Sequence, residues 1–198
     1  MGLDHVVLTS VTRDDLADGG AGHFIAVIAA IRALRPQLPI EILIPDLQGN
    51  QTALLLICRA QPEVVNHNIE TVPRLYAAVR PQADYRRSLA LLRTVKQAAP
   101  VIVVKSGLML GLGETGEEVL QTLQDIRETG CELLTLGQYL RPSRDHLPVH
   151  RFVEPSEFDE FKRQALEMGF LGVASGPHVR SSFQAGRLFR QIVRPSVA

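Results

Sequence analysis

Six short runs of β-branched and aliphatic residues recur along the chain, at 5–10, 40–44, 64–68, 101–109, 132–136 and 171–174. They are near-continuous rather than alternating, the pattern of strands buried on both faces. Amphipathic stripes lie between them. Phe24, Val27, Ile28, Ile31 and Leu34 mark one helical face, and Val119, Leu120, Leu123 and Ile126 mark another. Thr115 with Glu118 reads as a capping box, and Ser156 to Asp159 as a weaker one. Strand and helix alternate at intervals of about 24–39 residues, which implies right-handed crossovers and a parallel sheet. No G-x-G-x-x-G follows the first run, so a (β/α) barrel fits better than a dinucleotide-binding fold. The chain enters its first strand almost at residue 1. A parallel sheet rarely leaves such an edge bare, so a unit upstream of it is expected.

Bulk properties narrow the function. With 21 basic and 21 acidic residues the formal net charge is zero, which leaves no electrostatic footprint for nucleic acid or an anionic membrane. No apolar run reaches the roughly 18–20 residues that span a bilayer. Two cysteines, Cys58 and Cys131, are too few for a disulfide scaffold and suit a reducing, cytoplasmic compartment.

Barrel chemistry gathers where strands end. Those ends here carry Thr9 and Ser10, Asp46, the string Asn66-His67-Asn68 with Glu70, then Lys105 and Ser106, the glycine-rich stretch 107–114, Gln138 and Tyr139, and Ser175. Asp46 fits a turn as readily as a site. His67 suits a hydrogen-bonded core position better than a ligand role. Lys105, inside an apolar run, needs a partner or a task, because lysine is almost never buried alone. Gly107 and Gly111 would let backbone approach a ligand, with Glu114 as an acceptor, although a plain strand-to-helix turn reads equally well. His146 and His150 are four residues apart, but Pro148 between them argues against a helical metal pair. Cys58 and Cys131 lack a C-x-x-C and read as structural.

Several strings occur in order: VVLTSVTRDDLADGGAGHF, VVNHNIETVPRLY, VRPQADYRRSL, KSGLMLGLGET, LTLGQYLRPSRDHLPVHRFV and SGPHVRSSFQA. Together they resemble the lipoyl synthase family of radical S-adenosylmethionine (SAM) enzymes. The resemblance runs over residues 1–185 and implies a partial parallel (β/α) barrel, with a carboxy-terminal tail at 186–198. It also implies S-adenosylmethionine and two four-iron, four-sulfur clusters as cofactors. The reaction it implies is radical insertion of sulfur at C6 and C8 of an octanoyl group held on a carrier protein. By position, Thr9, Ser10, Asn68, Glu70, Lys105, Gly107, Gly111, Glu114, Gln138 and Tyr139 are expected around the cofactor. The stretch 107–114 resembles the family's G-x-I-x-G-x-x-E segment, with Met109 in place of Ile. Ser181 corresponds to the serine that ligates the second cluster.

The departures are specific. Neither cluster-binding cysteine motif of the family is among these residues, which places the expected first strand–helix unit, with its C-x-x-x-C-x-x-C loop, upstream of Met1. Phe183 and Gln184 stand where the family has Tyr and His. Two other classes remain open: a non-catalytic remnant that binds a carrier domain, and a Schiff-base aldolase-type barrel using Lys105.

Overall fold

A computed structural model describes residues 2–193. Six strands, β1 (Val6–Thr9), β2 (Ile40–Leu43), β3 (Val64–Asn66), β4 (Val103–Leu110), β5 (Leu133–Gln138) and β6 (Gly172–Gly176), fall within or beside the six apolar runs. They form one sheet in sequence order, β1-β2-β3-β4-β5-β6, with every neighbouring pair parallel. The helices are α1 (Ala21–Leu34), α2 (Gln51–Arg59), the single turn α3 (Tyr76–Val79), α4 (Tyr85–Ala98), α5 (Gly116–Glu128), α6 (Pro155–Glu167) and α7 (Ala185–Val193). The architecture is a partial parallel (β/α) barrel, with β1 and β6 as its unpaired edges among the described residues.

The sheet has two unlike faces. Ile40, Ile42, Val65, Val104, Leu134, Leu136 and Val173 point outward into the main core, against Phe24, Ile57, Leu92, Leu123 and Phe158 from the surrounding helices. The alternate positions point inward: an apolar first layer of Val64, Val103 and Leu133, and above it the polar or small Glu41, Asn66, Lys105, Gly107, Thr135 and Gly137. The expectation of strands apolar on both faces therefore holds for the outer face and, on the inner face, only for that first layer.

Local signals explain most helix boundaries. Thr115 Oγ1 accepts from the Glu118 N–H at 3.2 Å while Glu118 accepts from the Thr115 N–H at 2.8 Å, so α5 begins with the capping box expected. The second box is shifted: Glu157 accepts from the Glu154 N–H, and α6 starts at Pro155, ahead of Ser156. Proline suits that first helical position because its missing N–H has no partner to lose.

The segment expected as a tail from Gly186 carries nearly all of α7. Leu188 and Phe189 are buried against Val64, Val103 and Leu133, the first residues of β3, β4 and β5. The helix thus plugs the amino-terminal mouth of the lumen. Its Phe189 ring lies 5.8 Å from the His5 ring beside β1.

Candidate functional site

Opposite that plug, the carboxy-terminal strand ends open into a polar cleft. Over β1–β3 a cavity of about 360 Å³ is lined by Thr9, Ser10, Asp46, His67, Asn68, Glu70 and Arg80, among others. Over β3–β6 a second, of about 400 Å³, is lined by Gly107, Met109, Thr135, Gly137, Gln138 and Ser181 among others. Asn68 and Glu70 line both, so they form the ridge between two halves of one cleft.

That ridge is built by an irregular exit from β3. Glu70 has φ +70°, and its N–H donates to Gly107 O at 2.9 Å while Met109 N–H donates to Glu70 O at 2.8 Å. These bonds turn both side chains toward the cleft. Asn68 Nδ2 donates to Glu70 Oε1 at 3.1 Å and to Ser181 Oγ at 2.7 Å. Asn68 Oδ1 is buried without a protein partner. Burial pushes the Glu70 carboxyl above the usual range, opposed by the Asn68 amide and by Arg80. Arg80 is stapled by Nη1 to the carbonyls of Asn68 (3.1 Å) and Ile69 (3.3 Å), and forms no carboxylate ion pair among the described residues. The sequence gives no periodic signal for Arg80, since its string 79–82 reads as a turn.

Other expected residues are occupied elsewhere. The Lys105 ammonium is fully buried, donating to Glu41 Oε1 at 2.7 Å and to Ser181 O at 2.6 Å. Glu41 is the partner that sequence reasoning missed, hidden in the string Ile40 to Leu43. Both oxygens of Glu114 fold back onto the Gly111 and Leu112 N–H groups, at 2.6 and 2.9 Å. Gln138 touches the cleft but fastens the following loop, donating to Arg151 O and accepting from Val153 N–H. The Tyr139 hydroxyl donates to Leu147 O at 2.8 Å. Asp46 caps a turn at Gln48 N–H and pairs with Arg87 at 2.7 Å, which satisfies its structural reading.

Residues 1–126 match the family model described as the radical SAM superfamily. The chain belongs to that superfamily. Curated relatives named lipoyl synthase, from Desulfotalea psychrophila, Caldanaerobacter subterraneus and Haemophilus influenzae, are 61%, 52% and 58% identical over 96%, 93% and 93% of this chain. The chain spans 64%, 65% and 58% of their respective lengths. Among solved structures, methylornithine synthase superposes with a TM-score of 0.66 at 20% identity, over 85% of this chain and 48% of that one. A 2,3-dimethylmalate lyase reaches 0.54 at 15% identity, over 96% and 67%. At such identities these two report the barrel fold and nothing more.

The cofactors implied by the family fit unequally. The cleft offers S-adenosylmethionine an orphan buried acceptor at Asn68, a carboxyl at Glu70, a guanidinium at Arg80 and hydroxyls at Thr9 and Ser10. An iron–sulfur cluster finds one oxygen donor, Ser181. Cys58 and Cys131 are buried away from the cleft, and burial pushes the Cys131 thiol up to about 12, so it stays protonated. Among the described residues no group of three or more His, Cys, Asp and Glu could hold a metal. These residues do not make a cluster site by themselves.

Proposed function

We propose that this chain is the cofactor-binding and serine-bearing portion of a lipoyl synthase-type enzyme. The substrate would be an octanoyl group on a carrier protein, and the reaction the insertion of two sulfur atoms at C6 and C8. The relatives' name and identity support the class. The observation that carries the site assignment is Asn68 Oδ1, a buried acceptor with no protein partner at the junction of the two cavities. Buried polar groups are normally satisfied, so an orphan on a residue that lines the cleft supports a ligand donor there.

Asn68 and Glu70 are suited to accept from the methionine ammonium of S-adenosylmethionine. Arg80, with Thr9 and Ser10, is suited to its carboxylate, whereas Lys105, expected around the cofactor, is committed to Glu41 and the Ser181 carbonyl. Gly107 and Gln138 would border the rest of the cofactor, with Gly111, Glu114 and Tyr139 holding that wall from behind. Ser181 would supply one oxygen to the second of two clusters, a weaker iron ligand than thiolate. Bound in this cleft, S-adenosylmethionine would supply the radical chemistry that acts on the acyl chain, with the electron coming from a cluster that these residues do not hold by themselves. The residues here bind and orient. We place the barrel domain at 1–185 and a terminal segment after it. Two buried free thiols support a reducing, cytoplasmic setting. Among the described residues no helix is long and apolar enough to cross a membrane.

Equilibrium dialysis of this chain against radiolabelled S-adenosylmethionine tests the assignment. Saturable binding is expected, weakened roughly tenfold by Asn68→Leu, in line with about 1–3 kcal/mol for a lost buried partner. Cys58→Ala should leave it unchanged. Absence of saturable binding, or equal binding by Asn68→Leu, would reject the cleft as the cofactor site.

A further inference from the structure

Lys105 is among the largest side chains enclosed completely in the molecule. It lies on β4 and its carboxylate partner Glu41 on β2, two strands away, and the curvature of the sheet brings them together across the lumen. Glu41 compensates the buried ammonium. The further acceptor is the main-chain carbonyl of Ser181, in the loop 177–184 that joins β6 to α7. A carbonyl bonded to an ammonium makes a charge-assisted hydrogen bond, stronger than a neutral one.

Besides Lys105, the loop near Ser181 is held by the buried side chain of Val179 and by the Asn68 amide. Its own main-chain bonds are short-range, Val179 N–H to Gly176 O and Phe183 N–H to Arg180 O. His178, Arg180, Ser182, Phe183 and Gln184 are exposed. Two strand positions shape its path. The Val179 carbonyl lies where a Cβ on Gly137 would stand, so only glycine at that position of β5 admits the loop so close. Asn68 reaches Ser181 from the cleft side, donating to its hydroxyl.

We propose that Lys105 is a positioning residue. Held by Glu41, it anchors the main chain of Ser181 so that the hydroxyl is presented to the cleft beside Asn68. The lysine acts on the loop and leaves ligand contact to the cleft residues. Any role of Ser181 toward iron rests on the function proposed above; the anchor does not.

Hydrogen exchange read by mass spectrometry on the full 198-residue chain tests it. Lys105→Met alone leaves Glu41 buried and unpaired and can fail to fold, so the deciding variant is E41Q/K105M, which removes both charges. The hydrogen-bonded amides of Val179 and Phe183 should exchange at least tenfold faster in the double variant, while those of β3 and β5 stay within twofold of the parent. Ser181→Ala, which keeps the carbonyl, should leave those two amides protected. Unchanged exchange at both in the double variant overturns the proposal. So does an equal rise across the strands, or loss of cooperative unfolding, because the pair would then hold the sheet rather than the loop. Loss of protection in Ser181→Ala overturns it too, by giving the anchoring to Asn68. Failure of cofactor binding would leave each of these readings intact.

Discussion

His67 shows how one residue's chemistry is set by neighbours far away in the chain. Its Nδ1–H donates to Ile44 O at 2.9 Å, which leaves Nε2 to accept from the Ser88 hydroxyl at 3.0 Å. Both bonds suit the neutral ring, and burial holds its pKa down at about 4 against an ordinary 6.5. Below 6.5 the unfolded chain therefore takes up a proton that the folded chain refuses until about 4. Stability falls as pH drops through that window, by about 3 kcal/mol in all. Glu70 runs the other way: its raised pKa favours the folded chain as pH falls. Urea titrations from pH 4 to 7 should thus show a shallower fall on acidification in His67→Gln than in the parent. Equal slopes would place the ring outside the core. The string Val64 to Asn68 suggested a core histidine, but Ile44, whose carbonyl fixes its tautomer, and Ser88, which donates to the other nitrogen, lie outside that string and leave no trace in it.

Individual elements were legible wherever their signal is local. The six strands follow from their apolar runs, and α5 from the Thr115 box and the apolar stripe Val119, Leu123 and Ile126. The glycine-rich stretch was legible as a turn or a ligand loop, with nothing to choose between them. The geometry makes the stretch hold itself. Gly111 has φ +96°, and a Cβ there would meet the Gln138 amide and the Arg151 carbonyl. Gly111→Ala should destabilise by about 1–3 kcal/mol through strain and overpacking, read by thermal or urea unfolding. A neutral result would show that the loop relaxes freely. By contrast α7 was not legible. Its apolar residues Leu188, Phe189 and Ile192 are interspersed with Arg187 and Arg190, and its receiving surface comes from the starts of three distant strands. Phe189→Ala should cost about 3–5 kcal/mol, the range for a large aromatic removed from a packed site, and the same unfolding experiment checks it.

At the scale of the whole molecule, the barrel type could be seen in advance, but the polar lumen could not. Glu41, Asn66 and Lys105 each sit in runs whose apolar content dominates, and only the alternation of side chains across a curved sheet collects them on one face. The lumen is closed below by α7 and covered above by the Ser181 loop, so its polar atoms must be satisfied within it. Lys105 and one oxygen of Glu41 are. Glu41 Oε2, both side-chain heteroatoms of Asn66 and both ring nitrogens of His5 have no protein hydrogen-bond partner, although His5 Nε2 lies 3.6 Å from Glu41 Oε2. Leaving a buried polar group unsatisfied costs about 1–3 kcal/mol. Five such atoms together would consume most of the roughly 5–15 kcal/mol that holds a domain folded. Water is the partner small enough to serve them, typically making about three bonds at each buried site. A crystal structure at high resolution should therefore show ordered water between Asn66 and the Glu41–His5 pair. Asn66→Leu, which removes two of those needs, should displace that water and leave stability within about 1 kcal/mol of the parent or above it. A dry lumen in the parent, with Asn66 unbonded at full occupancy, would defeat this account of how the barrel tolerates charge at its centre.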